Sequence, residues 1–481
     1  MKKITLLLIW LAVFSLGVSA SFSPDSTGGA WGSYVYDSYK TPVRVPDGYQ
    51  LLFESGGKGA TPLSEPEDFF VSGDGEVYVA DTKNNRIVIY DRDMNFLSEI
   101  TVLSNDGMLQ PIRNPRGIFV SPDGLIYLSD ADKRQIEAMN RNGEIQKVWK
   151  EPQSELIPEG LVYNPTKLVA DSAGRVYVLA EGNFNGLLRF HPDGGFDSYF
   201  ASNRIDVTPQ IILERFWRGI LSREQTDSMV KFNPIEYSGV DIDGSDFIFT
   251  SVRTSSNSTD ELKRLNPTGI NVLPSNDFGD LDYVANKGVR IDTSFVDVDV
   301  DELGFVTGFD ITRGRIFQYN RESTLLFAFG TIGEQSGTFK KPTAIESWGE
   351  RIYCLDSDRG TVTVFETTDY GKALRKAMAL DYEGLYEEAE SCWNQVLTFN
   401  GNCEQAYAGM GKALLKRGRY KEAEMYFKAA NSRTDYQKAF VEVRRETVEK
   451  AVPYAGGAVI LLLLAVKLVP LFRKLKGRKT A

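Results

Sequence analysis

Residues 75–90 read GEVYVADTKNNRIVIY. Val77, Tyr78 and Val79 make a short run of β-branched and aromatic residues, and residues 86–90 (RIVIY) make a second. The polar Asp81-Thr82-Lys83-Asn84-Asn85 between them suits a tight connection between antiparallel strands. Upstream, Pro66 precedes Phe69-Phe70-Val71, which ends at the turn Gly73-Asp74-Gly75. Three strands within about thirty residues form a sheet too small to stand alone. It needs copies of itself.

The copies follow. Asn114-Pro115-Arg116-Gly117-Ile118-Phe119-Val120, Asp123-Gly124, residues 125–130 (LIYLSD) and residues 135–140 repeat the layout. Pro165, Gly174, Val176-Tyr177-Val178 and residues 186–190 repeat it again, and looser copies begin at Pro234, Phe295 and Pro342. The turn glycines Gly75, Gly124, Gly174, Gly244, Gly304 and Gly349 are 49, 50, 70, 60 and 45 residues apart. A β-rich unit near this period predicts a propeller, in which each small sheet buries its faces against its neighbours. The pattern NP.GI.V…G.IY..D at residues 114–130, with YVADTKNNRIVIYD at residues 78–91, resembles NHL repeats. The resemblance implies a mainly β chain with a six-bladed propeller over residues 47–367.

Residues 49–53 (YQLLF) precede the first repeat and have no earlier strand to pair with. The last repeat runs past Phe365 into a helical pattern without an outer strand, so residues 49–53 are expected to supply it and close the ring. Residues 1–20 carry Lys2-Lys3, an apolar run and Val18-Ser19-Ala20, and read as a secretory signal peptide. Residues 21–46 are expected to form an irregular lead-in. Residues 206–232 interrupt the repeats: Thr208-Pro209 opens a helix, and Ile212, Phe216 and Ile220 stack at four-residue spacing. This predicts a helical insertion, with Phe216 and Trp217 as candidate docking residues.

After Thr367 the period changes. Residues 384–389 (GLYEEA) recur as residues 418–423 (GRYKEA), 34 positions on, and Trp393 and Phe427 keep the same spacing. The pattern resembles two tetratricopeptide (TPR) repeats, which implies an α-helical solenoid over residues 370–450 that ends in a capping helix at 435–450. Its inner helix would offer Gln405, Lys412 and Lys416 to a partner. Residues 452–472 are apolar for the length of a bilayer, interrupted only by Lys467 near the end, and residues 473–481 are basic. The positive-inside rule then places the tail in the cytoplasm and the body outside, with one crossing.

The formal net charge of −10 hides an asymmetry, because the two end segments hold eight bases and no acid. The remainder carries 65 acids against 47 bases, a poor match for nucleic acid or anionic lipid. Three cysteines do not make a disulfide scaffold, and reduced, buried packing is expected for Cys354, Cys392 and Cys403. The single histidine, His191, sits in the turn His-Pro-Asp-Gly without a catalytic partner. Neither a histidine metal cluster nor a phosphate loop is present, so no cofactor or metal is expected.

Asp81, Asp130, Asp310 and Asp356 end strands in four repeats, and are read as acceptors for their own turns. Glu67, Asp68, Arg116, Lys167, Glu236 and Asp297 lie just after the blade openings. Since the first strand of a blade lines a propeller's axis, these six are candidates for a polar axial face that takes a polar ligand or peptide. A set of internal salt bridges is the other reading. Some six-bladed propellers are metal-dependent lactonases that use a Glu, an Asn and an Asp. Glu67 and Asp297 could imitate two of these, but the asparagine motif is missing, and enzymatic activity is not expected. The expectation is a membrane-anchored extracytoplasmic scaffold that binds partner proteins. By resemblance it would be an accessory part of a bacterial surface or transport complex. A receptor for a small molecule or glycan, and a lactonase-like hydrolase, are the alternatives.

Overall fold

The computed structural model describes residues 32–157, 162–202, 236–253, 261–281, 284–285, 289–290 and 293–477. The signal peptide and the insertion with Phe216 and Trp217 lie outside the described residues. Contacts divide the chain into two compact units, residues 1–369 and residues 370–481.

The first unit is a six-bladed β-propeller. It opens with β1 (Tyr34–Tyr36), β2 (Pro42–Arg44) and β3 (Tyr49–Ser55). The first blade is β4 (Asp68–Val71), β5 (Val77–Asp81), β6 (Arg86–Tyr90) and β7 (Phe96–Ile100). A hairpin of β8 (Val102–Asn105) and β9 (Met108–Pro111) leads to the second, β10 (Pro115–Val120), β11 (Ile126–Asp130), β12 (Gln135–Met139) and β13 (Ile145–Lys150). The third is β14 (Pro165–Ala170), β15 (Val176–Ala180), β16 (Leu187–Phe190) and β17 (Phe196–Phe200). The fourth has three described strands, β18 (Tyr237–Ile242), β19 (Ile248–Val252) and β20 (Leu262–Leu265), and a ribbon of β21 (Val284–Ala285) and β22 (Val289–Arg290) follows it. The fifth is β23 (Phe295–Val300), β24 (Val306–Asp310), β25 (Ile316–Tyr319) and β26 (Leu325–Phe329). The sixth is β27 (Pro342–Trp348), β28 (Arg351–Asp356) and β29 (Thr361–Thr367).

All six sheets are antiparallel meanders, and the innermost strands β4, β10, β14, β18, β23 and β27 neighbour one another in a closed circle. β3 completes the sixth blade by pairing with β29, from Tyr49 opposite Thr367 to Ser55 opposite Val362. The two ends of the ring therefore share one sheet, which leaves no open seam. Between blades the faces are apolar: Phe119, Tyr127 and Trp149 of the second blade pack with Leu168, Val169 and Tyr177 of the third.

Two expectations need correction. Residues 34–36 and 42–44 are not irregular, since β1 and β2 pair with each other and β1 extends the fifth blade beyond β26. The cause is long-range: Tyr34 is fully buried, its hydroxyl donates to Asp280, and the Arg315 guanidinium stands 5.2 Å from its ring. Nor does the fourth-blade turn use Gly244 in the way the other turns use glycine. The left-handed position there is Asp246, at φ 61°.

The aspartates at the ends of the second strands act as clamps. Asp356 accepts from the backbone N–H groups of Lys340, Lys341, Asp358 and Arg359. Asp81 accepts from Ser64, and Asp310 from Ser294, Thr312 and Arg313. Each clamp thus ties its own turn and also the segment leading into its blade. In the third blade Ala180, opposite Pro165, takes the place that Asp130 holds opposite Pro115, and that clamp is absent.

The second unit is helical: α1 (Asp369–Tyr382), α2 (Tyr386–Phe399), α3 (Glu404–Lys416), α4 (Tyr420–Ala429) and α5 (Arg433–Gly477). α3 packs between α2 and α4. Trp393 of α2 and Phe427 of α4 are fully buried, each against a glycine of α3. A Cβ at Gly409 would lie 2.1 Å from Trp393 Nε1, and one at Gly411 would lie 2.6 Å from Phe427 Cε1. Gly411→Leu should therefore cost about 3 kcal/mol, because the backbone approach leaves no room for a side chain. Thermal melting of the full chain followed by tryptophan fluorescence would show this as earlier loss of the Trp393 signal. Melting unchanged from wild type would mean that α3 and α4 are not in this contact.

The expected capping helix at 435–450 and apolar helix at 452–472 are one continuous helix, α5. Pro453 gives up one backbone hydrogen bond without ending it. α5 is long and apolar enough to cross a membrane, with a mean hydropathy of 2.1 over its most apolar window, none of it buried.

Candidate functional site

Five of the six innermost strands carry a β-bulge at their second residue. The register shifts between Pro115 and Gly117, Pro165 and Leu168, Tyr237 and Gly239, Phe295 and Asp297, and Pro342 and Ala344. A bulge re-aims the side chain it displaces. The displaced residues Arg116, Thr166, Ser238, Val296 and Thr343 all line one cavity of about 300 Å³ at one end of the axis, with Glu67 of the first blade completing the ring. Glu181, Glu236, Arg253, Lys341, Leu179 and Ile311 form its walls.

Beneath this ring the next residues of the strands alternate in size around the axis. The first, third and fifth blades present Asp68, Lys167 and Asp297, while the second, fourth and sixth present Gly117, Gly239 and Ala344. The small residues are what make the arrangement possible, since a Cβ at Gly239 would lie 2.6 Å from Asp297 Oδ1. Lys167 Nζ donates to Asp68 and, at 2.9 Å, to Asp297 Oδ2. The carboxylates are tied further to neighbouring blades: the Ile118 N–H donates to Asp68 Oδ2 at 3.0 Å and the Ile345 N–H to Asp297 Oδ2 at 2.9 Å. This buried triad joins three blades across the axis and floors the cavity.

The six expected axial residues are thus split between two levels. Glu67, Arg116, Lys167 and Glu236 line the cavity, whereas Asp68 and Asp297 lie in the floor. Arg116 donates to Glu67 at 2.5 Å and to Glu181 at 2.7 Å, and Glu236 Oε1 accepts from the Gly182 N–H at 2.7 Å. Four residues of the ring were missed, Thr166, Ser238, Val296 and Thr343, as were the wall residues Leu179, Glu181, Arg253, Ile311 and Lys341. Thr166, Val296 and Thr343 each sit one position after the residue that opens their repeat, as Arg116 does, so a constant offset was the available signal for them; Ser238 follows Tyr237, where β18 begins, and not Pro234. Glu67 and Asp297, which could imitate part of a lactonase metal site, are each held by a cation at different levels. Among the described residues no three His, Cys, Asp or Glu side chains are grouped to hold a metal ion.

Deeper in the axis are three further acids, Asp241, Asp299 and the partly buried Glu346. Asp241 Oδ2 accepts from the Val300 N–H at 2.7 Å, and Asp299 accepts from the backbone and hydroxyl of Ser347. Burial pushes Asp241 up to about 7 and Asp297 up to about 6. Asp299 and Glu346 are raised well above the usual range by burial first and then by the neighbouring carboxylates, among them Asp241. Burial and the acid pair act oppositely on Lys167, and Asp297 and Asp68 win, holding its ammonium charged.

A carboxyl group whose folded pKa is raised contributes stability that is full below its unfolded pKa and is lost as pH rises through the folded value. For Asp241 and Asp297 that window runs from about pH 4 to about pH 7. Facing them are Asp68, Asp243, Asp299, Glu346 and Lys167, and Lys167 stays charged throughout. The propeller should therefore melt several degrees higher at about pH 5.5 than at about pH 8, and Asp241→Asn should narrow the gap. Melting temperature against pH tests this, and a rise in stability toward pH 8 would contradict it.

In the helical unit Lys412 Nζ is bound to Asp381 Oδ2 at 2.5 Å, while Lys416 is exposed and Gln405 Oε1 accepts from the Cys403 thiol at 3.5 Å. All three cysteines are free and buried.

No curated protein matches the chain. Among solved structures, a virginiamycin B lyase from Staphylococcus aureus is 14% identical, with 71% of this chain and 97% of that one covered at a TM-score of 0.40. A gluconolactonase from Xanthomonas campestris is 10% identical, with 70% and 95% covered at 0.40. The extracellular domain of a hybrid two-component system from B. thetaiotaomicron is 12% identical, with 70% and 38% covered at 0.37. The NHL repeat model matches residues 63–90, the segment that forms β4, β5 and β6 with the turns between them.

Proposed function

We propose that the chain is a membrane-anchored binding protein held outside the cytoplasm, with the axial cavity as its recognition site and α5 as its anchor. One observation carries this reading: bulges in five blades turn their displaced side chains into a single cavity of about 300 Å³, over a floor closed by Lys167 between Asp68 and Asp297. A rigid concave site with a few convergent polar groups is what a small polar ligand, or the end of a longer chain, requires. The excess of acid in the body and the apolar stretch of α5 agree with a body in water and a helix in lipid. α1 to α4 would form a TPR-like second surface for a partner protein. Gln405 and Lys416 are its available contacts, since Lys412 is engaged by Asp381.

The test is mass spectrometry of the full chain purified from its own membrane in mild detergent. Val296→Trp and Thr343→Trp each fill the cavity without touching the floor. A polar molecule or chain end should accompany the wild type and be lost with both variants, while melting stays within a few degrees. The same bound material on all three chains would refute the site.

A further inference from the structure

The valines of α5 share one face. From Arg444 to Val469 the helix holds five of them, Val448, Val452, Val459, Val466 and Val469, spaced 4, 7, 7 and 3 residues apart. Ala455 and Leu462 fill the two gaps, so the row advances by alternating steps of four and three. Val441 and Arg445 extend it toward the start of the helix. This is the seven-residue repeat of a helix seam, with Arg445, Val452, Val459 and Val466 at its first position. Val441, Val448, Ala455, Leu462 and Val469 take its fourth. Glu446, Lys450, Pro453 and Lys467 all lie off the row, and Arg444 and Glu449 flank it.

Lipid accounts for only part of this face. Val441 and Val448 precede the apolar stretch and sit among Arg444, Glu446 and Glu449, yet they are 51% and 52% exposed. α4 does not cover them, because it packs where Ala439 is fully buried with Ala423 and Phe427. Val441, two residues on from Ala439, is turned about 200° away from that contact. Nor does lipid select for valine, since a bilayer accepts leucine about equally well. Ile460, Leu461, Leu463, Leu464 and Leu468 nevertheless take the other faces. β-branched valine has little rotamer freedom to lose on packing. The flanks of the row are small, with Ala451, Ala458 and Ala465 on one side and Gly456 on the other, which lets a second helix approach closely.

We infer that α5 pairs in parallel with α5 of a second copy of this chain, along the row from Val441 to Val469. Two copies anchored in one membrane present their helices in the same direction, which is the condition for a parallel pair. Charge complementarity fits that partner. In a parallel pair the residue just before one repeat meets the residue five places on in the other helix, so Arg444 faces Glu449 of the second copy, and the reverse. Both side chains are exposed in the single chain. Valine at the first position favours two strands over three or four. Arg445, the one polar residue on the row, is held by its own Glu442 at 2.8 Å, and a polar group at such a position fixes register at some loss of stability. A pair carries two axial cavities, which raises its affinity for a ligand that presents two or more recognition elements.

The inference rests on α5 as the membrane anchor, and oxidative crosslinking in native membranes separates the two claims. Single cysteines are placed in the full chain on the row, as Val452→Cys and Val459→Cys, and off it, as Tyr454→Cys and Leu461→Cys. The three native cysteines are buried. Disulfide-linked dimers of this chain should form at the two row positions and be several-fold rarer at the other two. In mild detergent, analytical ultracentrifugation should show Arg444→Glu weakening the dimer about tenfold, with Glu449→Arg added to it restoring the pair. Arg445→Leu should strengthen the dimer. Equal yields at all four positions, or monomer throughout in a chain that resists alkaline carbonate extraction, overturn the inference. Crosslinks from the row to a different membrane protein overturn the second copy as the occupant. Release of the chain by carbonate, with row-specific dimers retained, would remove the anchor and leave the pairing.

Discussion

Replacing Lys167 by methionine should destabilise the propeller by about 3–5 kcal/mol, the cost of breaking a buried ion pair on one side. Its ammonium is the only cation in contact with Asp68 and Asp297 among the described residues, and all three side chains are buried. Methionine fills a similar volume but leaves two buried carboxylates facing each other without a counter-charge. The loss should grow with pH, because Asp297, already raised to about 6, can take up a proton at acid pH and relieve the repulsion, a relief that fades as pH rises. Adding Asp68→Asn and Asp297→Asn to the methionine variant should recover most of the stability. Denaturant unfolding at about pH 5.5 and about pH 8 measures this. A methionine variant within about 1 kcal/mol of wild type at both would mean that the triad does not hold the axis.

The second large effect is expected at the seam. Deleting residues 32–55 while keeping the rest removes β3 from the sixth blade and β1 and β2 from the fifth. β29 then becomes an exposed edge, and Val364 and Phe365, both fully buried, lose the strand that covers them. The loss should rival the total stability of an ordinary domain, on the order of 5 kcal/mol or more. A milder variant keeps the prediction readable if the deletion does not fold. Leu51→Pro removes the N–H at the position opposite Phe365 and should lower the melting point by several degrees. A deleted chain that stays monomeric and melts like wild type would show that the ring closes without this strand.

Much of this was legible because it repeats. The aspartate at the end of the second strand recurs as Asp81, Asp130, Asp310 and Asp356, and recurrence marks a structural clamp. The closing strand could be inferred from an unpaired segment at one end and a missing strand at the other. β1 and β2 could not: Tyr34-Val35-Tyr36 is too short to read as a strand, and it is held by Asp280, far along the chain. The axial acids Asp241, Asp299 and Glu346 were overlooked for a different reason. They alternate with apolar residues as in any half-buried strand, and only the closed ring shows that the polar side faces inward. The candidate residues Asp68 and Asp297 were placed on the axis but one level too high, whereas Lys167 reaches the cavity from the floor. The bulge that separates cavity from floor depends on cross-strand register, which no local pattern reports.

Photo-crosslinking in intact cells tests the central claim most directly. A benzophenone amino acid is placed in the full chain at Thr343, on the cavity, and in a second chain at Asp123, in the turn at the far end of β10. Adducts formed at Thr343 and absent at Asp123 are the result expected of an axial recognition site. Adducts at Asp123 alone, or none at either position in cells where the protein is folded, would contradict it.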